Sequence, residues 1–341
     1  MSRFISFLFG KKKSKPVPPS QSPPPTVYPK EEDFYHRYGL HNHNGKFSMV
    51  HHLVTNQSVL MKIISKERTI IENRVEKVVS ELEVMKKLDS PFVARLLSGF
   101  QSANGLYLQM DVHEAQTFQE FIFFNGRLKN DHATFYMAEL LLGVQYLHQR
   151  DIVHRNLSLD TLLIDEQGHL KIFDFGTAKA RIAIRTRCYT LCSRPELLPP
   201  EAHLTGCYTR SIDWWGYGLV MLEMLGHPNI FDDVTVEKVK KRILATNKED
   251  LQPFDNVSHV AHDLLSNLLT YDETRFSGVD ILRHAFFEAI EWEKIESQSL
   301  EVPIDDFYVD DDTTLPLGKD LPPFEAIDGE DPFKAFWYLR E

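Results

Sequence analysis

The chain has 341 residues, enough for one large two-lobed domain with tails, and 43% of them are hydrophobic, enough for substantial cores. Its formal net charge of −11 argues against nucleic-acid binding, which needs a basic surface, and is compatible with basic peptides as ligands. The three cysteines, Cys188, Cys192 and Cys207, have neither a metal-ligand spacing nor a disulfide framework, which points to a reducing compartment, the cytoplasm; no apolar run approaches the roughly 20 residues of a membrane span.

Residues 1–30 read as a disordered basic and proline-rich tail. Phe4, Ile5, Phe7, Leu8 and Phe9 precede Lys11, Lys12, Lys13 and Lys15, the reverse of a signal peptide's order, and residue 2 is Ser, not the glycine of a myristoylation site. The cluster leaves two readings, a weak contact with an anionic membrane surface or a tail that folds back on the domain. Residues 16–29 are a proline-rich, extended linker.

Residues 34–110 predict a small sheet with one important helix. Residues 38–45 form a turn between two strands; residues 71–88 form an amphipathic helix, with Val75, Val78, Val79, Leu82 and Met85 recurring every three or four positions. Pro91 follows its end, because the residue before proline avoids the helical region. Residues 106–110 are a strand. His41, His43, His51 and His52 have no acidic or cysteine partner spaced with them, so they read as exposed hairpin residues and not as metal ligands. Residues 131–149 predict a long amphipathic helix. Leu162-Leu163-Ile164, a turn at Asp165-Glu166-Gln167-Gly168, and the alternating Leu170-Lys171-Ile172-Phe173 then form a hairpin that delivers Asp174-Phe175-Gly176.

His154-Arg155-Asn156-Leu157-Ser158-Leu159-Asp160-Thr161, the hairpin, and Asp174-Phe175-Gly176 follow one another with the spacing of the protein kinase catalytic and metal-binding loops. The chain resembles that family over residues 34–338. The resemblance implies an α+β, bilobal fold. Residues 31–111 would form a small lobe with an antiparallel sheet and one key helix, residues 112–288 a mainly helical large lobe, and residues 289–341 a tail of the AGC group. In that tail Ile304-Asp305-Asp306-Phe307 resembles the acidic-aromatic turn. Phe333 and Phe336 resemble the hydrophobic motif, with Trp337 where many members carry a phosphorylatable residue. Together with Asp213-Trp214-Trp215-Gly216 and Thr190-Leu191-Cys192, the tail suggests the cyclic-AMP-dependent branch of the serine/threonine kinases.

The resemblance implies ATP and Mg2+ as cofactors. Lys62 would pair the phosphates and be held by Glu81; Gly45 is the last glycine of the phosphate loop; Asp111 and Val112 form the hinge; Asp174 binds magnesium, with Thr161 at the position of the second metal's ligand. The departures fall in the same places. Leu40 and Asn42 replace the first two loop glycines, which let backbone N–H groups approach phosphate. Asn156 stands at the catalytic proton acceptor, Ser158 at the loop lysine and Thr161 at the metal-binding asparagine. An amide cannot take a proton at neutral pH, and losing a general base costs about 10²- to 10⁴-fold, or roughly 3–5 kcal/mol. Phe47 and Leu60 align with the residues that sandwich adenine; they either fill the adenine slot or pack outward and leave it open.

Two functional readings follow from the resemblance, beside a third, a membrane-tethered scaffold, that depends on the N-terminal cluster. In the first the chain is a catalytically impaired or inactive kinase homologue that acts through protein binding. In the second it is a divergent active serine/threonine kinase that uses Asp174, Lys62 and a substitute base, with Asp160 the candidate. The stacked apolar column of an assembled kinase would be Met85, Leu96, His154 and Phe175, anchored by Asp213, and Glu201 would pair with Arg275. Thr190 aligns with a phosphosite whose phosphate Arg155, Lys179 and Lys77 would hold. Asp160, Glu196 and Glu223 align with acids that hold substrate arginines, while Thr117 replaces another. The partner implied is an Arg-rich peptide or a kinase regulatory subunit.

Overall fold

A computed structural model describes residues 29–40, 46–227, 231, 233–245, 257–272, 274–303, 315–316, 321 and 331–340. Side-chain alternation builds the small lobe. Strands β1 (Phe34–Leu40), β2 (Lys46–His52), β3 (Gln57–Ser65), β4 (Leu96–Gln101) and β5 (Gly105–Met110) pair antiparallel in the order β4-β5-β3-β2-β1. Val50, Val59, Met61 and Ile63 face one way, into a separate cluster with Phe34, Phe100 and Tyr107. Phe47, Met49, Leu60 and Lys62 face the other way, as the two-residue period requires. The register sets Phe47 opposite Lys62 and Met49 opposite Leu60.

The helix expected over residues 71–88 spans only Val75–Met85. Ile71 ends a separate short helix, Lys66–Ile71, whose N-cap Ser65 accepts from Arg68 N. Between the two, Asn73 takes φ of 52°, outside any helix interior. Val79 is exposed, so the stripe is not all five apolar positions; the buried face carries Val78, Leu82 and Met85 together with Glu81.

Three strands, β6 (Ala115–Thr117), β7 (Leu162–Asp165) and β8 (Leu170–Ile172), form a second sheet in that order, with Leu162 opposite Ile172 and Gly168 turning at φ of 81°. The large lobe packs behind it on the helices Asn130–Gln149 and Ile212–Met224. The second of these is apolar nearly all round and therefore buried; Tyr217 Oη on it donates to Met137 O at 2.7 Å. Ile172 joins the lobes, since its N donates to Phe92 O and its O accepts from Ala94 N.

The tail completes the small sheet on both edges. Strand β9 (Leu315–Pro316) pairs with β1, and β10 (Tyr338–Leu339) pairs with β4. Phe333 and Phe336 are buried, and Trp337 is exposed. The two-lobed α+β arrangement implied by the resemblance is present. Residues 1–28, the acidic-aromatic turn at 304–307, and Asn42, Gly45, His41 and His43 lie outside the described residues.

Candidate active site between the lobes

Lys62 on β3, Glu81 on the helix Val75–Met85 and Asp174 after β8 converge in one buried triad. Lys62 Nζ donates to Glu81 Oε1 at 2.6 Å and to Asp174 Oδ1 at 2.8 Å. Burial works against the ammonium, but Asp174 and Glu81 outweigh it and hold Lys62 above its ordinary value. Burial pushes Glu81 up, whereas for Asp174 the penalty of burial is overcome by Lys62 and its carboxyl lies below the usual range. Asp174 adopts the left-handed conformation, φ 56° and ψ 74°, and accepts from Gly176 N. Gly176 is needed for closeness: a Cβ there would lie 3.0 Å from Lys62 Nζ and 3.2 Å from Asp174 Oδ1.

Phe47 fills the space beside this triad. Its ring lies edge-on to Phe173, with centroids 4.9 Å apart, and Lys62 Nζ sits 5.1 Å from the Phe47 centroid. Phe47, Leu60 and Leu40 are all buried in the main core. Neither Phe47 nor Leu60 packs outward: both face the cleft, on the side of the sheet that carries Lys62. The hinge is also committed internally. Val112 O accepts from Leu60 N, and Val112 N donates to Met110 O, each at 2.9 Å. The Asp111 carboxylate pairs with Arg95 and lies 3.5 Å from His113 Nε2.

The loop 154–161 is satisfied by its own atoms. Thr161 Oγ1 donates to Asn156 O at 2.8 Å and accepts from Ser158 N. Its hydroxyl thus serves the loop backbone. Ser158 Oγ donates to Asp160 Oδ1. Asn156 is 2% exposed; its Oδ1 accepts from Ser193 Oγ at 2.9 Å, while Nδ2 is buried without a hydrogen-bond partner. Among the described residues no group of three or more His, Cys, Asp or Glu side chains could hold a metal ion. His51 and His52 are tied into their hairpin, His51 Nε2 to Asn56 Oδ1 and His52 Nδ1 accepting from Thr55 N.

Asp213 organises the loop from below. Its Oδ2 accepts from His154 N and lies 2.8 Å from His148 Nε2; its Oδ1 accepts from Arg155 N. The His154 ring meets Phe175 edge-on at 5.4 Å and pairs through Nε2 with Phe173 O, and Met85, Leu96, His154 and Phe175 are all buried. Glu201 and Arg275 form a two-pronged pair at 2.8 and 2.9 Å, with Arg275 also 5.4 Å from the Trp215 ring.

Arg155 Nε donates to Thr177 O and its Nη1 to Tyr208 Oη, which in turn donates to Thr190 O. Thr190 itself is exposed, and Lys179 is half-buried. Burial and the charges of Arg74 and Arg155 push Lys77 down, which places these cations in one neighbourhood. Thr117 is the N-cap of the helix Phe118–Asn125, bonded reciprocally to Glu120. Glu223 is half-buried in the last turn of Ile212–Met224. Asp160 and Glu196 are brought together by a residue that sequence reasoning passed over. Arg194 Nη2 donates to Asp160 Oδ1 at 3.1 Å, and its Nε lies 3.5 Å from Glu196 Oε1.

Comparison with known proteins agrees with this geometry. The family described as "Protein kinase domain" matches residues 43–287. The cAMP-dependent protein kinase catalytic subunit of Schizosaccharomyces pombe is 32% identical over 294 residues, covering 81% of this chain and 56% of that protein. The human cAMP-dependent protein kinase catalytic subunit PRKX is 32% identical over 301 residues, covering 85% and 81%. The mouse RAC-beta serine/threonine-protein kinase is 32% identical over 307 residues, covering 85% and 62%. The chain spans little more than half the length of the first relatives it matches, 57% and 56%. On its fold, its ordered motifs and these matches, the chain belongs to the protein kinase family, with AGC-like serine/threonine kinases among its relatives.

Proposed function

We propose that this chain is a kinase homologue of the cyclic-AMP-dependent branch that does not transfer phosphate at kinase rates and works in the cytoplasm by binding a protein partner. The observation that carries the reading is Asn156. The position that needs a proton acceptor holds an amide, and its oxygen is occupied by Ser193. Phosphoryl transfer depends on positioning and charge stabilisation, so the losses at Ser158 and Thr161 compound this one without adding to it simply.

The nucleotide site supports the same reading at one end and not the other. Lys62, Glu81 and Asp174 fit a phosphate–magnesium group. The adenine end does not fit: the Phe47 ring, with Leu60 on the same face, fills the cleft against Phe173. The partner we infer carries an arginine-rich segment, as a regulatory subunit with a pseudosubstrate would, and it docks on the acids of the large lobe. A phosphate on exposed Thr190 would draw Arg155 and Lys77 onto it by charge-assisted bonds and stiffen that surface.

The intact triad favours a second reading, a slow but genuine kinase. One assay separates the two: radiolabelled transfer from MgATP to an arginine-rich serine peptide, run on the protein, on Asp174→Ala and on Asn156→Asp. We expect background transfer for the protein and for Asp174→Ala. Transfer by the protein clearly above that of Asp174→Ala would establish the enzyme instead, and transfer gained only in Asn156→Asp would trace the loss to the missing base.

A further inference from the structure

Two consecutive residues clamp the loop 154–161 from the segment that precedes Pro195. Ser193 Oγ donates to Asn156 Oδ1, and Arg194 Nη2 donates to Asp160 Oδ1. The exposures are uneven. The Asp160 side chain is 2% exposed, that of Glu196 19% and that of Arg194 35%. The carboxylate is fixed inside the loop by Ser158, while the guanidinium that neutralises it reaches in from the solvent side.

We propose that Arg194 is a tethered occupant of an arginine-binding subsite made by Asp160 and Glu196, so that an arginine of an incoming peptide binds only by displacing it. This rests on the reading of the large lobe as a surface for an arginine-bearing segment. The chemistry is specific to a guanidinium. Its planar fork satisfies one carboxylate through Nη2 while Nε addresses a second, and it sheds water more readily than an ammonium. A buried carboxylate stripped of its cation is costly, so the subsite does not stand empty. Because Arg194 is held by the chain, it competes as an intramolecular ligand at an effective concentration of about millimolar. The hydrogen bond of Ser193 to Asn156, one residue earlier, keeps Arg194 in register. The same two-residue contact thus covers the former proton-acceptor position and the arginine subsite together.

The test compares the full chain, Arg194→Ala, and Arg194→Ala combined with Asp160→Asn. Thermal melting is followed in arginine amide, and anisotropy reads the binding of a fluorescent peptide with two adjacent arginines. Arg194→Ala is expected to melt below the parent and to be restored selectively by about 10 mM arginine amide, a concentration above the effective concentration of the tether. Lysine amide should restore it less, and the double variant should show no restoration. The peptide is expected to bind Arg194→Ala at least about tenfold more tightly than the parent, a gain of ~1.4 kcal/mol. Restoration without tighter peptide binding would uphold the occupant and sink the peptide-surface reading. Arginine amide that acts equally on all three proteins, or on none, would overturn the proposal. Should Arg194→Ala fail to fold, Arg194→Lys keeps the charge and loses the fork; arginine amide is then expected to raise its melting temperature, and the absence of a rise counts against the proposal.

Discussion

Asn156 Oδ1 accepts a hydrogen bond from Ser193, and an amide oxygen is no base at neutral pH, which is the ground for the proposal that this loop does not catalyse. His154, two residues earlier, is a buried titratable group. Burial holds its imidazole below the ordinary value of 6.5, against the pull of Asp213. Nε2 pairs with Phe173 O, and Nδ1 is buried without a hydrogen-bond partner. The unfolded chain therefore binds a proton on His154 at a pH where the folded one does not. The resulting stability is fully present above pH 6.5 and is lost as pH falls toward the lowered folded value. Melting curves between pH 7.5 and 5.5 are expected to fall more steeply for the parent than for His154→Phe, by up to about 1.4 kcal/mol per pH unit. Parallel curves would show that another group carries the dependence.

At the scale of elements, the tail acts as part of the small lobe. β10 extends the sheet at Ser98 and Gly99, Arg340 Nε donates to Leu96 O, and Gln101 Nε2 donates to Phe333 O. Lys66 Nζ lies 3.3 Å from Asp331 Oδ2 and 5.8 Å from the Phe333 ring centroid. Phe336→Ala, at a side chain only 1% exposed, is expected to cost about 3–5 kcal/mol, measured by denaturant unfolding, and to speed amide exchange along β4. A cost below about 1 kcal/mol would mean that the tail merely rests on the sheet. The docking residues were legible in the sequence as an aromatic motif. The edge pairing was not, because a two-residue strand has no period to read. The same limit hid the helix Lys66–Ile71. The hairpin carrying Asp174 stood out because an apolar run, a turn glycine and an alternating second strand coincide there. Val79 misled the helix reading, since it repeats at helical spacing on the solvent face. Arg194 was missed for a different reason. An arginine beside Pro195 looks like surface, and its partner Asp160 lies 34 residues away with no pattern joining them.

Across the whole molecule, the contacts that assemble the two lobes and those at the candidate site can be followed separately. Among the described residues, the lobes are held by the Lys62 triad, the stacked column on Asp213, and the Glu201–Arg275 pair. The parts that would exchange with solvent or ligand are instead satisfied from within. Phe47 packs edge-on against Phe173, Val112 bonds through its backbone to Leu60 and Met110, and Ser193 and Arg194 bond to the loop 154–161. If Phe47 and Leu60 close the cleft to nucleotide, as proposed above, ATP binds only once they are made smaller. Titration calorimetry of ATP, with and without magnesium, into the protein and into the Phe47→Val, Leu60→Ala variant tests it most directly. The parent is expected to give no saturable heat up to about 1 mM ATP, and the variant a magnesium-dependent isotherm. Magnesium-dependent binding by the parent, no weaker than that of the variant, would contradict it.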